Sequence, residues 1–396
     1  MMASIKLKGD TSGEVTIQAP SVAGTTTLNL PATSSTLATQ NSLGVRNLII
    51  NGDMRIAQRG TSVSGITSSS GNYYTVDRMG AWMTSAGTWT MTQDNDVPSG
   101  QGFAKSMKWS CTTANASLSA GSYLHLTHNI EAQNCQVLKF GSSSAESVTL
   151  SFWVKSNKTG TYVVEFYHDD ASKSLSKTYT IDTADTWEKK TVTVTGNTAN
   201  AIVNDNGMGL QIWHWLLAGT NFSSGTLHST WTTRVIANDA ARQTVNLADN
   251  TANYINITGV QLEANTTATP FENLQYGTQL FLCQRYYEKS YDINTAPATN
   301  ATKGLELVAG TTDGNQNFYQ TVRFAVPKRA NPSINFYKSD GTANTWRYDR
   351  SGASNQSGTP SVGDNGDSSF YMRIPSTGAT WVVATMSGQW TANAEL

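Results

Sequence analysis

His125, His128 and Cys135 supply the nitrogen and sulfur donors from which zinc sites are built. The segment around the two histidines reads as a strand, however, and strand residues three apart point to opposite faces. Their imidazoles should diverge, which leaves ordinary surface or core histidines as the expectation. Glu131, Asp169, Asp170 and Asp182 are candidates for the two carboxylates, roughly 5–10 Å apart, that cleavage of a glycan requires. All four stand in ordinary turn or strand contexts, so solvated surface acids are expected. Asp364 and Asp367, in Gly363-Asp-Asn-Gly-Asp367, could offer oxygen ligands to Ca²⁺. A glycine-rich turn accounts for them equally well, and their spacing misses the EF-hand pattern. The chain has no P-loop, no His-Glu-x-x-His and no Gly-x-Ser-x-Gly elbow. No catalytic or cofactor-binding residue is therefore expected, and structural Ca²⁺ is the one cofactor left as a candidate.

Aromatic residues are the remaining source of chemistry. Trp213 and Trp215 share one face of a strand, and Trp153 lies opposite the aliphatic residues of its own strand. Exposed indoles form flat amphipathic platforms on which sugars stack. The competing reading, and the favoured one, is that a neighbouring protomer covers them and they become interface core.

The elements that must position these residues are legible in composition and periodicity. The 396 residues leave room for two or three domains and a sizeable core. Only 14% are charged, against about 25% in ordinary soluble domains. Polarity comes instead from Thr, Ser, Asn and Gly, a mixture that favours strands with many tight turns. A net charge of −1 gives no electrostatic reason to bind nucleic acid. Cys111, Cys135 and Cys283 are too few for a disulfide framework and are expected as buried free thiols, consistent with assembly in a reducing cytoplasm. No apolar run reaches the ~18 residues of a membrane span, so membrane insertion is not expected.

Residues 1–42 are compositionally distinct. Val15 and Ile17 share one strand face and Leu28 and Leu30 another, with Pro20 and Val22-Ala-Gly24 between them. Two such strands cannot bury a core alone, and interleaving with sister chains would pair their edges. From residue 43 to 275 apolar and polar residues alternate: Val148, Leu150, Phe152 and Val154; Val192 and Val194; Met208, Leu210 and Ile212. Turn clusters such as Ser156–Gly160 and Asn204–Gly207 separate the runs, the pattern of a sandwich. Parity switches at Thr258-Gly259, which predicts a β-bulge. Tyr276, Leu280, Cys283 and Tyr287 fall on a single helical face and predict a helix from Leu274 to Ser290. Residues 291–396 read as further strands, including two within Thr321–Tyr337, Tyr371–Ile374 and Trp381–Thr385. Ser351–Ser369 is expected as a polar surface loop.

Five stretches carry a resemblance. Gly9-Asp-Thr-Ser-Gly-Glu-Val-Thr-Ile-Gln-Ala-Pro20 with Ser21–Pro31 resembles a unit common near the attachment end of phage fibres. Asn47-Leu-Ile-Ile-Asn-Gly-Asp-Met-Arg-Ile-Ala-Gln-Arg-Gly-Thr-Ser62 and Ile257-Thr-Gly-Val-Gln-Leu-Glu-Ala-Asn-Thr-Thr-Ala-Thr-Pro-Phe-Glu272 resemble the first and last strands of the carbohydrate-binding-module-like jelly roll of bacteriophage tail fibre proteins. Asp77-Arg78 after Tyr73-Tyr74 fits the opening region and is read as an internal ion pair closing the sandwich end. Leu280-Phe-Leu-Cys-Gln-Arg-Tyr-Tyr287 and the final Trp390–Leu396 resemble segments of the same family, and the ending implies a complete chain. Between these stretches, about Ser99 to Thr251, only strand alternation follows the family.

The resulting expectation is a mainly β chain. It comprises an interleaved N-terminal attachment segment (1–42), a jelly-roll β-sandwich (43–275), a connecting helix (276–290) and a C-terminal β-rich, sandwich-like tip (291–396), assembled as a homotrimer. The resemblance implies a non-enzymatic virion protein, a tail fibre built in the host cytoplasm. Residues 1–42 would hold it to other tail proteins, and its tip would adhere to a host-surface glycan or protein. The alternatives are a capsid decoration or vertex fibre without receptor role, and a glycan depolymerase.

Overall fold

In the computed structural model, residues 4–8, 12, 14–18, 46–310, 317–350, 353–375 and 384–396 are described. Residues Met1–Gly44 form one unit and Val45–Leu396 another. In the first, Ser4–Lys8 pairs antiparallel with Glu14–Gln18, the strand that carries Val15 and Ile17. The loop and strand expected around Pro20, Val22-Ala-Gly24, Leu28 and Leu30 lie outside the described residues.

The alternating runs of the second unit become strands of a jelly-roll sandwich. One seven-stranded sheet runs, in spatial order, through Thr232–Thr233, Lys173–Ile181, Gly160–His168, Met208–Ala218, Tyr123–Glu131, Gly80–Thr84 and Ser69–Tyr73. The facing six-stranded sheet runs through Glu188–Val194, Val148–Ser156, Tyr254–Ala264, Ser106–Thr113, Thr88–Asp94 and Ser62–Ile66. All these pairings are antiparallel. The core between the sheets holds the aliphatic parities read from the sequence, Val148, Leu150, Phe152 and Val154 against Leu210, Ile212 and Leu216, with Trp89 and Trp109. Cys111, Cys135 and Cys283 are buried and free.

The two jelly-roll ends clasp each other. Leu48 N donates to Leu262 O at 2.9 Å. The Asn47 side chain donates to Val260 O at 3.0 Å and accepts from Leu262 N at 2.9 Å. The Glu272 carboxylate accepts from the backbone N–H groups of both Arg46 and Asn47, each at 2.8 Å. Register shifts between Thr258 and Gln261, at the predicted bulge, and Gly259 takes φ +61° there. The bulge turns Val260 N toward Gly52 O, 2.9 Å away. Gly52 is required by close approach, because a Cβ there would lie 2.0 Å from Val260 O.

The helix is shorter than predicted. It spans Tyr276–Gln284, and the chain then enters a strand, Tyr287–Lys289, that pairs with Ala384–Asn393. Gln279 and Cys283 face inward, while Tyr276 and Phe281 are exposed. Backbone pairing with the C-terminal strand overrides the helical period at Tyr286 and Tyr287. The long strand Ala384–Asn393 also pairs with Ser333–Tyr337, Glu306–Gly310 and Trp346–Arg350. A second sheet joins Asn317–Arg323, Ser369–Pro375 and Ser361–Asn365. Phe336, Trp346, Phe370, Met372, Met386 and Trp390 form a separate core in this region. The expected loop Ser351–Ser369 contains the strands Ala353–Gly358 and Ser361–Asn365. Its Ser, Gly and Asn residues suit strands on an exposed sheet, where little side chain needs burying. Of the expected strand Trp381–Thr385, residues 381–383 lie outside the described residues and Ala384 begins the long strand.

Buried charge ties the C-terminal region to the sandwich. Asp77 and Arg78 do not close the end as a mutual pair. Asp77 accepts from Gln58 N at 3.0 Å and Gln58 Nε2 at 2.6 Å, while Arg78 pairs with Glu395 and stacks 3.6 Å above the Tyr286 ring. Glu131, expected at the surface, is fully buried and accepts from Arg285 Nη2 at 2.5 Å and the Tyr286 hydroxyl at 2.7 Å.

The clasp yields a test. Replacing Gly52 with Ala drives a methyl group into the Val260 carbonyl, so the unfolding midpoint in urea should fall by the equivalent of about 1–3 kcal/mol. An unchanged midpoint would show that the clasp tolerates the extra carbon.

Candidate functional site

The strand Met208–Ala218 serves two faces. Leu210, Ile212 and Leu216 enter the core, so Gln211, Trp213 and Trp215 point out of the seven-stranded sheet. Neighbouring strands add outward residues in register. Trp82 lies opposite His125, and His125 opposite Trp215. Asn129 lies opposite Gln211, and Gln211 opposite Tyr167. Together they floor an open cleft of about 670 Å³, with Asp169, Arg234, Phe222 and Leu396 at its margins. The cleft crosses five strands, about 19 Å at ~4.8 Å per spacing, and its volume is that of a small-ligand site.

The aromatic floor is packed against itself. Trp213 stacks between Tyr167, at 5.3 Å and 22°, and His125, at 4.6 Å and 23°. Its Nε1 donates to Gln211 Oε1 at 2.9 Å. Trp215 is fully buried and donates to Glu165 Oε2 at 3.1 Å. Phe222, from the segment following Ala218, covers it with ring centres 5.6 Å apart. Trp213 and Trp215 are thus covered by their own chain rather than standing as free platforms. Trp153 is half-buried on the six-stranded sheet, opposite Lys189 and Thr258, and the structure does not bring it to the cleft.

Among the described residues the exposed indole is Trp82, with 37% of its surface open. It lies against Gly71, where a Cβ would come 3.0 Å from the ring, and Gly71 takes φ +82°. A flat, half-open ring beside hydrogen-bonding groups is the arrangement that binds the apolar face of a sugar. The sequence carried the signal for this residue: Ala81 and Met83 are apolar and inward, so Trp82 must point outward.

Asp169, one of the four acids singled out in the sequence, lines the cleft, accepts from Gln211 Nε2 at 3.0 Å and has its pKa raised by burial. The other three are elsewhere. Glu131 sits in the buried seam, Asp170 accepts from Val203 N, and Asp182 pairs with Lys190 at the surface. Two acids that sequence reasoning passed over, Glu165 and Asp239, are fully buried behind the aromatic floor. Asp239 Oδ2 accepts from Arg234 Nε at 3.0 Å and Nη2 at 2.6 Å, and Arg234 Nε lies 3.9 Å from Glu165 Oε1. Burial, followed by the charge of Asp239, pushes Glu165 well above the usual carboxylate range, and burial raises Asp239 to about 6. Burial works against charge on Arg234, but its bonds to Asp239 and the two nearby carboxylates outweigh that and hold it protonated.

His125 and His128 fall on opposite faces, as the strand period requires: His125 in the cleft, and His128 inward, accepting from Ile50 N at 3.3 Å. Asp364 is exposed on a strand, and the Asp367 carboxylate accepts from Ser368 Oγ at 2.7 Å. Among the described residues no three His, Cys, Asp or Glu side chains converge as metal ligands.

No protein-family model matches the chain, and no curated protein matches its sequence. Among solved structures it is similar to the enzymatically active domain of tailspike protein 4 of bacteriophage CBA120, at 15% identity and a TM-score of 0.28, over 55% of this chain and 21% of that one. It is also similar to a CBM4 structure, at 14% identity and a TM-score of 0.28, over 54% of this chain and 98% of that one. A third is the family 11 carbohydrate-binding module of Clostridium thermocellum in complex with a mixed-linked tetrasaccharide, at 9% identity and a TM-score of 0.24, over 53% and 99%. Similarity this low leaves the reading of the cleft to its own chemistry.

Directly behind the floor, His214 packs edge-on against Phe152, and burial lowers its pKa to about 4. Between that value and the ordinary 6.5 the unfolded chain binds the extra proton, so this residue's contribution falls as pH drops through the window. His214→Phe should therefore make the loss of stability between pH 7 and pH 4.5 smaller by roughly 2 kcal/mol. Denaturant titrations of both proteins at the two pH values give this difference directly, and equal losses would show that His214 is not held neutral.

Proposed function

We propose that this chain is a non-catalytic, glycan-binding component of a tailed-phage virion, a homotrimeric tail fibre attached through residues 1–42. The single observation that carries glycan binding is Trp82, 37% exposed over a cleft of about 670 Å³ whose polar margin includes Gln211 and Asp169. Such a site offers one stacking face and several hydrogen-bonding groups, which suits a hydroxyl-rich ligand bound weakly at each copy. Several identical copies then turn modest affinity into firm adhesion. The fibre assignment is supported by the resemblance at residues 9–31, 47–62, 257–272, 280–287 and 390–396. The expected adhesive tip at 291–396 gives way in this reading to the outer face of the jelly roll.

The non-catalytic reading is supported by the placement of the acids. Glycoside cleavage takes two carboxylates flanking the bond. Asp169 lines the cleft, but Glu165 and Asp239 are fully buried and engaged by Trp215 and Arg234. Release of reducing sugar by the purified protein would overturn this part. A monomer in sedimentation equilibrium at micromolar concentration would overturn the trimer, and labelling on the particle's head would replace the tail fibre with a capsid role.

The ring itself is testable on a glycan array followed by calorimetry. Trp82→Ala should weaken binding of whichever glycan the wild type selects by about tenfold or more. Because Trp82 is half open, thermal stability should move by no more than about 0.5 kcal/mol. Unchanged affinity would remove the indole from the site.

A further inference from the structure

The charges around the cleft carry one step further, which rests on the glycan reading above. Arg234 is the cation that lines the cleft among the described residues, and its guanidinium lies 4.8 Å over the Trp213 ring. A free arginine in an aromatic cleft would be a natural partner for an acidic sugar, since it offers a forked pair of donors to a carboxylate. Arg234 is not free in that sense. Its Nε and Nη2 both donate to Asp239 Oδ2, and Glu165 stands behind it at 3.9 Å. Asp239 and Glu165 are both fully buried. Two carboxylates and one guanidinium in such a place cannot all hold full charge without one acid keeping its proton. The cluster is therefore close to neutral.

Asp169 adds a second carboxylate on the cleft side, held by the Gln211 amide rather than by a cation. His125 contributes no positive charge, since burial, with Arg234 nearby, takes its pKa down to about 3. A sugar carboxylate entering the cleft would lose its hydration, find the Nε–Nη2 edge of Arg234 already bonded to Asp239, and face Asp169. A hydroxyl in the same place can donate to Asp169 or accept from the Gln211 amide, and it costs far less to desolvate.

We infer that the Asp239–Arg234–Glu165 cluster, with Asp169, makes this cleft selective for neutral sugars over uronic and other acidic sugars. Asp239 acts through Arg234 by occupying its Nε–Nη2 edge, Glu165 places a second acid behind it, and Asp169 acts on the ligand directly.

The test uses the full chain and pairs of oligosaccharides of equal length and linkage, one carrying a C6 hydroxymethyl group and the other a C6 carboxylate. Calorimetry on wild type should show the neutral member binding at least about tenfold more tightly, the scale of one unscreened charge contact at a partly exposed site. Asp169→Asn should narrow that ratio by about fivefold, whatever it does to the affinity for the neutral member. Asp239→Asn, which removes the charge bonded to the Nε–Nη2 edge of Arg234, should narrow it as well, and Asp239→Ser provides the same readout if the first does not fold. Equal affinities, or preference for the acidic member, would overturn the inference while leaving the glycan cleft standing. A ratio unmoved by Asp169→Asn would overturn it too. Binding of no sugar in any pair would overturn both the inference and the reading on which it rests.

Discussion

The structure depends on the period of two in a single strand. Met208–Ala218 runs through the middle of the seven-stranded sheet and is buried along nearly its whole length. Its even-numbered residues Leu210, Ile212, His214 and Leu216 face the opposing sheet, while Gln211, Trp213 and Trp215 floor the cleft. A slip of one residue would push indoles into the core and leave aliphatic side chains in the cleft. Core packing therefore fixes the cleft: the same aliphatic interlock that stabilises the sandwich sets the position of every ring on its outer side.

Those rings are rigid because they fill one another's faces. Tyr167, Trp213, His125 and Tyr123 stack successively across neighbouring strands, with Phe222 over the end. Each contact is modest, about 0.5–1.5 kcal/mol beyond burial, but together they leave little conformational freedom to lose on binding. Trp82 stands apart because it meets a glycine rather than another ring on the edge strand. The open ring is thus a consequence of Gly71 and of Trp82's place near the sheet margin.

Charge is scarce in this chain, and two of its buried clusters bear on the fold and the cleft. One is the seam with the C-terminal strand, where Arg78, Glu395, Glu131 and Arg285 meet in ion pairs, with a tyrosine hydroxyl and a ring face beside them. The other is the Asp239–Arg234–Glu165 cluster behind the cleft. Breaking a buried pair costs more than forming it contributes, since the remaining partner is left without water. One cluster ties the final residues to the sandwich, and the other lies behind the aromatic floor of the cleft.

Strand parities, the bulge at Thr258-Gly259 and the outward direction of Trp213 and Trp215 were all determined by the sequence itself, because alternation, glycine placement and turn residues act over a few neighbours. The helix was legible in its position but not in its extent, because Tyr287 is claimed by a strand about a hundred residues away. The polar stretch Ser351–Ser369 read as a loop because short polar side chains give no alternating signal, although partner strands were present to pair with it. Whether an outward tryptophan is open or covered was decided only by the fold. Phe222 closes over Trp215, Tyr167 and His125 enclose Trp213, and Gly71 leaves Trp82 open, while Glu165 and Asp239 meet Arg234 from separate segments. Periodicity tells which side of a sheet a residue faces; what else arrives on that side depends on long-range packing, which no local pattern encodes.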